Sequence, residues 1–461
     1  MKLAIVGGGG FRVPLVYTAL LHDTGSPRVE TVSLYDTSPE RLAVIRSVLG
    51  QLAADLRARS TVPLPEAPRV EVSTDLDPAL EGADFVFAAI RVGGVEGRTH
   101  DERVALRLGV LGQETTGPGG LAYGLRTIPE MLRIAARVRA VAPEAYVINF
   151  TNPAGMITEA LHQVLGDRVI GICDTPGGLA ERAATALGLE PTRTQTDYIG
   201  LNHLGWLRRL VSDGRDRLPD LLADDQLLDR LDEAAIFGPS WLRTLGAIPN
   251  EYLYYYDFNR DAIRSIVDAP ATRGEFLARH QGDFYSAAQR TPARALELWR
   301  RSIADREATY MADAKGKHRD PESDDDKPAE VRTAAGYEGV ALAVMAAIAR
   351  NERSTIILDV RNGTTVAGLD ADAVVEVPAL VDATGAHPLT TDPPADYQLG
   401  LMQQVKAVDR LVIEAATTGS ADAALRAFAL HPLVDSVAVA RDLLRGYIDA
   451  LPEVAQVLHQ A

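Results

Sequence analysis

One cysteine occurs in the 461 residues, Cys173 in Gly171-Ile172-Cys173-Asp174-Thr175-Pro176, and thirty residues beyond it stands His203 in Gly200-Leu201-Asn202-His203. A thiolate and an imidazole are a soft and a borderline ligand. Two protein ligands leave most positions of a divalent ion open, which suits a metal that binds substrate hydroxyls and not a structural site. On pattern alone a lone cysteine and a lone histidine read equally well as core or surface residues, and Asp174 reads equally well as a helix cap. A second cluster, Ile248-Pro249-Asn250-Glu251-Tyr252-Leu253-Tyr254-Tyr255-Tyr256, places four tyrosines in five positions. Such runs are commonly core or interface aromatics. A tyrosine here acts as a base only if a cation or metal draws its ionisation down from about 10.

The chain opens with an apolar run that enters Gly7-Gly8-Gly9-Gly10-Phe11-Arg12. Glycines at such a turn let the backbone approach a pyrophosphate, and the helix N-terminus behind them favours its negative charge. A second apolar run ends at Asp36, whose carboxylate can accept the hydroxyls of an adenosine ribose. Gly7-x-Gly9 is present, but Arg12 occupies the third glycine position of the dinucleotide fingerprint. Asp36 favours NAD over NADP, because a carboxylate repels a 2′-phosphate; Arg41 nearby moderates that preference. Three further segments are polar and glycine-rich at strand ends, where open α/β sheets place their ligands. They are Ile90-Arg91-Val92-Gly93-Gly94 with Arg98 and then GQETTGPGG carrying Glu114, Asn149-Phe150-Thr151-Asn152-Pro153-Ala154, and the Cys173 turn.

The elements that must hold these residues alternate. Candidate strands are Lys2–Val6, Val32–Tyr35, Val70–Val72, Phe85–Ile90, Tyr146–Phe150 and Val169–Cys173. Between the second and third, Leu42, Ile45, Leu49, Leu52 and Leu56 recur at helical spacing behind Pro39 and a Ser38 cap. Strand–helix alternation predicts an α/β fold, with a Rossmann-like, doubly wound parallel sheet over 1–195. Residues 196–212 and 355–382 read as short β segments and 334–350 and 401–418 as helices. They predict an α+β domain over 196–461, wrapped on the first, for substrate binding and oligomerisation. The segment 314–332, AKGKHRDPESDDDKPAEVR, reads as an exposed charged loop. A net charge of −16 repels nucleic acid and anionic lipid, though a few converging arginines can still take a small anion. No stretch approaches a membrane span, and Met1-Lys2 leads into a strand rather than a secretory signal. A single cysteine excludes a disulfide framework and fits a cytoplasmic enzyme.

Together these segments resemble the NAD- and manganese-dependent family 4 glycoside hydrolases. The likeness spans nearly the whole chain: the glycine loop with Pro14, IRVGG and Arg98, GQETTGPGG, NPAG, the Cys-Asp-x-Pro turn, GLNHLGW, IPNEYLYYY, Thr272-Arg273 and Val375-Glu376-Val377-Pro378. It implies cofactor contacts from Gly7, Gly9, Gly10, Phe11, Arg12, Asp36, Arg41, Ile90 and Arg91. Cys173 and His203 match the ligands of Mn2+ or another divalent metal, and Tyr252 matches the base that removes the sugar C2 proton. Glu114 matches an acid that increases the tyrosine's basicity, and Asp174 matches the proton donor to the leaving group in 6-phospho-α-glucosidases. Arg98, Asn152 and Arg273 match substrate positions. The implied reaction is hydrolysis through transient oxidation at C3, C2 deprotonation, elimination and water addition, unlike the common two-carboxylate solution.

Two departures bear on specificity. Asp174 stands where β-specific members are expected to carry Asn, and GGGGFRVP replaces the commoner GGGSTxTP. The expected activity is 6-phospho-β-glucosidase, the most populous of the family, with 6-phospho-α-glucosidase close behind and a hydrolase of another C6-anionic glycoside, such as a sulfoquinovoside, third. The rivals are an NAD-dependent sugar dehydrogenase, which would release NADH, and an NAD-sensing binding protein, which would tolerate loss of Tyr252 and His203. Family members imply a homodimer or homotetramer.

Overall fold

Along the first strand, β1 (Lys2–Val6), Leu3 and Ile5 belong to one apolar core and Ala4 and Val6 to another. That is the period of two expected of a strand covered on both faces. The computed structural model describes residues 1–61, 64–311, 314 and 336–458. Among them, β2 (Thr31–Tyr35), β3 (Arg69–Ser73), β4 (Phe85–Ala88), β5 (Tyr146–Asn149) and β6 (Val169–Gly171) join β1 in the parallel order β3-β2-β1-β4-β5-β6. The strand order reverses between β1 and β4, which is where open sheets of this kind bind ligands. The α/β, doubly wound fold expected from the sequence is the one observed.

The sheet does not end with β6. β11 (Ser354–Arg361) pairs antiparallel with β6 through Asp359 and Gly171, and then with β12 (Val374–Asp382). β7 (Gln195–Leu201), β8 (Leu204–Ser212) and β10 (Ile248–Pro249) continue it, while β9 (Arg215–Asp216) and β13 (Gly385–Pro388) pair with β8 and β12. The strands of the α+β half extend the same sheet, while its helices Ala295–Ala308, Tyr337–Arg350 and Asp396–Thr418 pack on helices Pro39–Arg59, Val13–His22 and Pro118–Val141 of the first half. Gly171 makes the junction feasible, because a Cβ there would stand 2.6 Å from the Asp359 Cβ.

The helices follow their patterns. Helix Pro39–Arg59 is capped by Ser38, whose hydroxyl accepts from the Arg41 amide, and it buries Leu42, Ile45, Leu49 and Leu52. Helices Tyr337–Arg350 and Asp396–Thr418 cover the two expected C-terminal segments, the second burying Val405, Val408, Val412 and Ala415. No described helix is long and apolar enough to cross a membrane. Of the charged segment 314–332, only Ala314 lies within the described residues.

Three strands are shorter than their apolar runs predict. β4, β5 and β6 stop at Ala88, Asn149 and Gly171, so Ile90, Phe150 and Cys173 stand in loops just beyond the sheet. There the Ala89, Phe150 and Ile172 amides still donate to the Val6, Ala88 and Asn149 carbonyls, and side chains share the rest of the hydrogen bonding. The Asn149 amide donates to the Thr158 hydroxyl at 3.0 Å and its carbonyl accepts the Thr151 N–H at 3.1 Å, while the Ile90 N–H turns to the Thr151 hydroxyl at 3.1 Å. These bonds end the ladders and aim the loops at a common edge.

Candidate active site

β1 delivers the glycine loop to that edge. Gly7 has φ +92°, and a Cβ on it would stand 2.5 Å from the Ala89 carbonyl oxygen, so the close approach of the two loops requires glycine. Residues of the second half tie the loop from behind. The Tyr285 hydroxyl donates to the Gly9 carbonyl at 2.6 Å, the Trp299 indole to the Phe11 carbonyl at 2.8 Å and the Tyr337 hydroxyl to the Arg12 carbonyl at 2.8 Å. Asp36 accepts from the Gly9 and Ser38 amides, both at 3.0 Å. The amides of Gly7, Gly8 and Gly10 also bond within the scaffold. The Phe11 and Arg12 N–H groups, just ahead of helix Val13–His22, have no partner among the described residues. Two unpaired amides at a helix start suit a pyrophosphate. Arg41 lies over the Tyr285 ring, 4.9 Å from its centroid, beside Asp36 and Gly9.

The presumptive metal ligands have built surroundings. The Cys173 Sγ lies 3.3 Å from the Thr175 hydroxyl, which accepts an N–H from Asn250 at 2.8 Å. Asn250 also donates to the Tyr198 hydroxyl at 3.4 Å, and Tyr198 donates to Glu376 at 3.0 Å. With the Asn250 amide supplying that donor, the Thr175 proton is left to point at the sulfur. Burial pushes the Cys173 thiol up, Glu376 and Asp174 add to this, and Thr175 opposes it; a coordinated cation reverses such a shift. His203 sits at φ +63° in the tight turn between β7 and β8. Its Nδ1 lies 3.0 Å from the Thr115 hydroxyl, leaving Nε2 for a metal. Burial pushes its pKa down to about 4, so the ring is neutral, the form a metal binds.

No three His, Cys, Asp or Glu converge as a metal cage among the described residues. The Asn152 carbonyl oxygen is buried with no hydrogen-bond partner, a further oxygen able to turn to a cation or a sugar hydroxyl. Asp174 occupies the N-cap position of helix Thr175–Ala186, yet its side chain makes no capping bond. The cap reading therefore fails, and the carboxylate lines the cleft.

Tyr252 stacks on His203 with centroids 3.7 Å apart and planes 4° apart. Its hydroxyl lies 3.2 Å from that of Tyr310, which donates to Glu251 at 2.6 Å. Burial raises the Tyr252 phenol far above its usual range, and the charges of Glu251 and Glu114 raise it further. A cation is thus needed before this phenol can act as a base at neutral pH. Burial also pushes Glu251 up to about 7, against the Tyr310 hydrogen bond.

Glu114 meets arginines, not the tyrosine. Arg91 and Arg98 each bring a nitrogen to 2.7 Å from its Oε2. Burial works against its charge, but Arg98, Arg91 and Arg306 together hold it ionised far below the usual carboxylate range. Its effect on Tyr252 basicity therefore acts through space. Arg98 also pairs with Glu102 at 2.8 Å, and Glu102 accepts the Gly274 amide at 2.8 Å. Arg273 opens helix Arg273–Arg290, which is capped by Thr272 and Glu275. It donates to the Arg306 carbonyl at 2.8 Å and to Thr309.

All the candidate residues except Gly9 line one cleft of about 3270 Å³. Neither type nor spacing marked out Tyr310, Arg306 and Thr175, which also line the cleft, or Thr115, which meets His203. Thr115 and Thr175 lie within quoted motifs and are their neighbours' hydroxyl partners. Arg306 is one of several arginines on helix Ala295–Ala308, with no spacing to mark it.

Comparison with known proteins agrees over the whole chain. Residues 2–189 match the family 4 glycosyl hydrolase model and residues 198–434 the family 4 glycosyl hydrolase C-terminal domain. A probable 6-phospho-β-glucosidase of Bacillus subtilis is 30% identical over 458 residues, covering 98% of this chain and 96% of that protein. A maltose-6′-phosphate glucosidase of the same organism is 30% identical over 467 residues, covering 97% and 95%. The 6-phospho-β-glucosidase of Thermotoga maritima, solved with manganese, NAD+ and glucose 6-phosphate, superposes with a TM-score of 0.80 at 25% identity, covering 98% of this chain and 99% of that one. A 6-phospho-α-glucosidase from gut microorganisms, solved with NAD and Mn2+, gives 0.79 at 25% identity, covering 98% of each chain. The glycine loop shares this cleft with Cys173, His203 and Tyr252, and the chain belongs to the family 4 glycosyl hydrolases.

Proposed function

We propose that the chain hydrolyses 6-phosphoglucosides with NAD and a divalent metal, manganese first, as 6-phospho-β-glucosidase in the leading reading. The observation that carries it is the stacking of Tyr252 on His203 in the cleft that also holds Cys173 and the glycine loop. Gly7, Gly9, Gly10, Phe11, Arg12, Asp36, Arg41, Ile90 and Arg91 would hold the dinucleotide, and Cys173 and His203 the metal. When bound, NAD+ supplies a hydride acceptor for C3 and the metal supplies Lewis acidity at the C2 and C3 oxygens.

The chain's own groups do the rest. Tyr252 takes the C2 proton, with Glu114 keeping the phenolate strongly basic. Asp174, which lines the cleft and makes no capping bond, would protonate the leaving oxygen as the C1–O bond breaks. Asn152, Arg98 and Arg273 orient the sugar. A carboxylate at position 174 favours 6-phospho-α-glucosidase as the second reading. Residues 1–195 would serve the cofactor and 196–461 the substrate and a homodimer or homotetramer interface, in the cytoplasm.

The test is a hydrolysis panel of nitrophenyl α- and β-glucosides bearing 6-phosphate, 6-sulfonate or a free 6-hydroxyl. Cleavage of a 6-phosphoglucoside only with NAD+ and Mn2+ is expected. Cleavage that survives removal of NAD+ and chelation of metal overturns the reading.

A further inference from the structure

Asn250 is 1% exposed and lies between the Cys173 turn and the tyrosine segment, bonded to both. β10 brings it there by pairing with β8, and its backbone N–H then donates to the Gly205 carbonyl at 2.8 Å. Its neighbours fix which way the side-chain amide points. The Tyr252 N–H can only donate, and it meets the Asn250 carbonyl oxygen at 3.1 Å, capping the turn Glu251–Leu253. The Asn250 NH2 group therefore faces the other way, donating to Thr175 at 2.8 Å and to Tyr198 at 3.4 Å. Each of those hydroxyls, having accepted, keeps its proton for another partner. Thr175 has the Cys173 Sγ at 3.3 Å, and Tyr198 has Glu376 at 3.0 Å. Glu376 also accepts from Asn202 at 3.1 Å, the residue before His203, and His203 stacks on Tyr252. The circuit of contacts thus closes through Asn250.

We propose that Asn250 is a positioning residue that couples the metal site to the base. One amide, held by the Tyr252 N–H, commits the Thr175 proton to the Cys173 sulfur, so that sulfur and phenol are set in a single frame. The inference rests on the reading of Cys173 as a metal ligand and Tyr252 as the base, and adds to it a residue that acts only through others. A hydrogen bond to a ligand atom aims its free lone pairs, and loss of such a partner weakens metal binding by about 10- to 100-fold. The cap on the Tyr252 N–H fixes where the phenol leaves the chain. The flat stack then passes that placement to His203, the second metal ligand of the reading, whose own backbone is anchored next door by Asn202 on Glu376.

The test is Mn2+ binding to the NAD+-loaded full chain, read without turnover by electron paramagnetic resonance. Asn250→Ser keeps an oxygen to cap Tyr252 but is too short to reach Thr175. It should weaken Mn2+ by about 10- to 100-fold with NAD+ affinity unchanged. Thr175→Val, which removes only the hydroxyl, should cost the same, and Thr175→Ser should recover most of it. The double variant Asn250→Ser/Thr175→Val should bind no worse than either single one, because both act on the same proton. Asn250→Ala, which loses the cap as well, should show a lower kcat on a 6-phosphoglucoside than Asn250→Ser at saturating Mn2+. Unchanged Mn2+ affinity in Asn250→Ser or in Thr175→Val overturns the coupling, as do losses that multiply in the double variant. The Thr175 variants decide the matter alone if Asn250→Ser does not fold. Equal kcat in Asn250→Ala and Asn250→Ser overturns the link to the base. A native chain that binds Mn2+ in this pattern yet cleaves no 6-phosphoglucoside upholds the metal half and overturns the hydrolase reading together with the base; one that binds no Mn2+ overturns the whole.

Discussion

Glu251→Gln should change how the protein's stability depends on pH, by an amount fixed by the burial of this carboxyl. Glu251 is 8% exposed, accepts from Tyr310 and has its pKa raised from 4.5 to about 7, burial being the largest cause. Because the folded-state value is the higher one, the proton is held more tightly in the folded protein. Its contribution is fully present below pH 4.5 and is lost as pH rises through 7. At about 1.4 kcal/mol per tenfold change in proton affinity, the contribution is roughly 3 kcal/mol. Glutamine keeps an acceptor for Tyr310 and cannot ionise. The stability of the variant relative to the native chain should therefore rise by about 3 kcal/mol between pH 4.5 and pH 8.5. Asp101 and Asp359, both raised by burial, are common to the two proteins and cancel. Urea denaturation at the two pH values measures the difference. Parallel pH profiles would refute the reasoning, since they would mean that Glu251 is solvated and ionised in the folded state.

Cys173→Ser should weaken Mn2+ binding by at least about 100-fold, read as free Mn2+ by electron paramagnetic resonance, with NAD+ affinity retained. Glu114→Gln leaves Arg91 and Arg98 without their shared counter-charge and should cost about 3 kcal/mol at pH 7 in chemical denaturation. Its folded-state pKa is depressed, so that cost is present above about pH 4.5 and shrinks as the pH falls below it. Asp36→Ala should raise the NAD+ dissociation constant by about 10-fold or more in a fluorescence titration, through loss of the ribose contact and of the Gly9 and Ser38 anchors.

The strand–helix alternation, the glycine loop, Asp36 and the helix starting at Pro39 were legible because each rests on local periodicity or a local cap. The strand ends were not, because the Asn149 and Thr151 side chains share the hydrogen bonding there, and an apolar run carries no sign of that. The continuity of the sheet was hidden as well. It depends on Gly171 meeting Asp359, residues far apart in the chain whose fit is a matter of tertiary packing. Cys173, His203 and Tyr252 were each visible by type, yet nothing in their spacing put an imidazole flat against a phenol. The tyrosine run is divided between core and site: Tyr254 packs on Phe258 and Tyr255, whereas Tyr252 and Tyr255 both line the cleft. Glu114 and its partners Arg91 and Arg98 were visible in one segment, but their pairing was not, and Arg306 had no motif at all.

In the proposed reaction the bond breaks by elimination after loss of the C2 proton, with NAD returned unchanged. Hydrolysis of a 6-phosphoglucoside in deuterium oxide, with NAD+ and Mn2+ present and absorbance followed at 340 nm, tests it most directly. One deuterium at C2 of the released glucose 6-phosphate and no net formation of NADH are expected. Product with protium retained at C2, or NADH released in step with the aglycone, would contradict it.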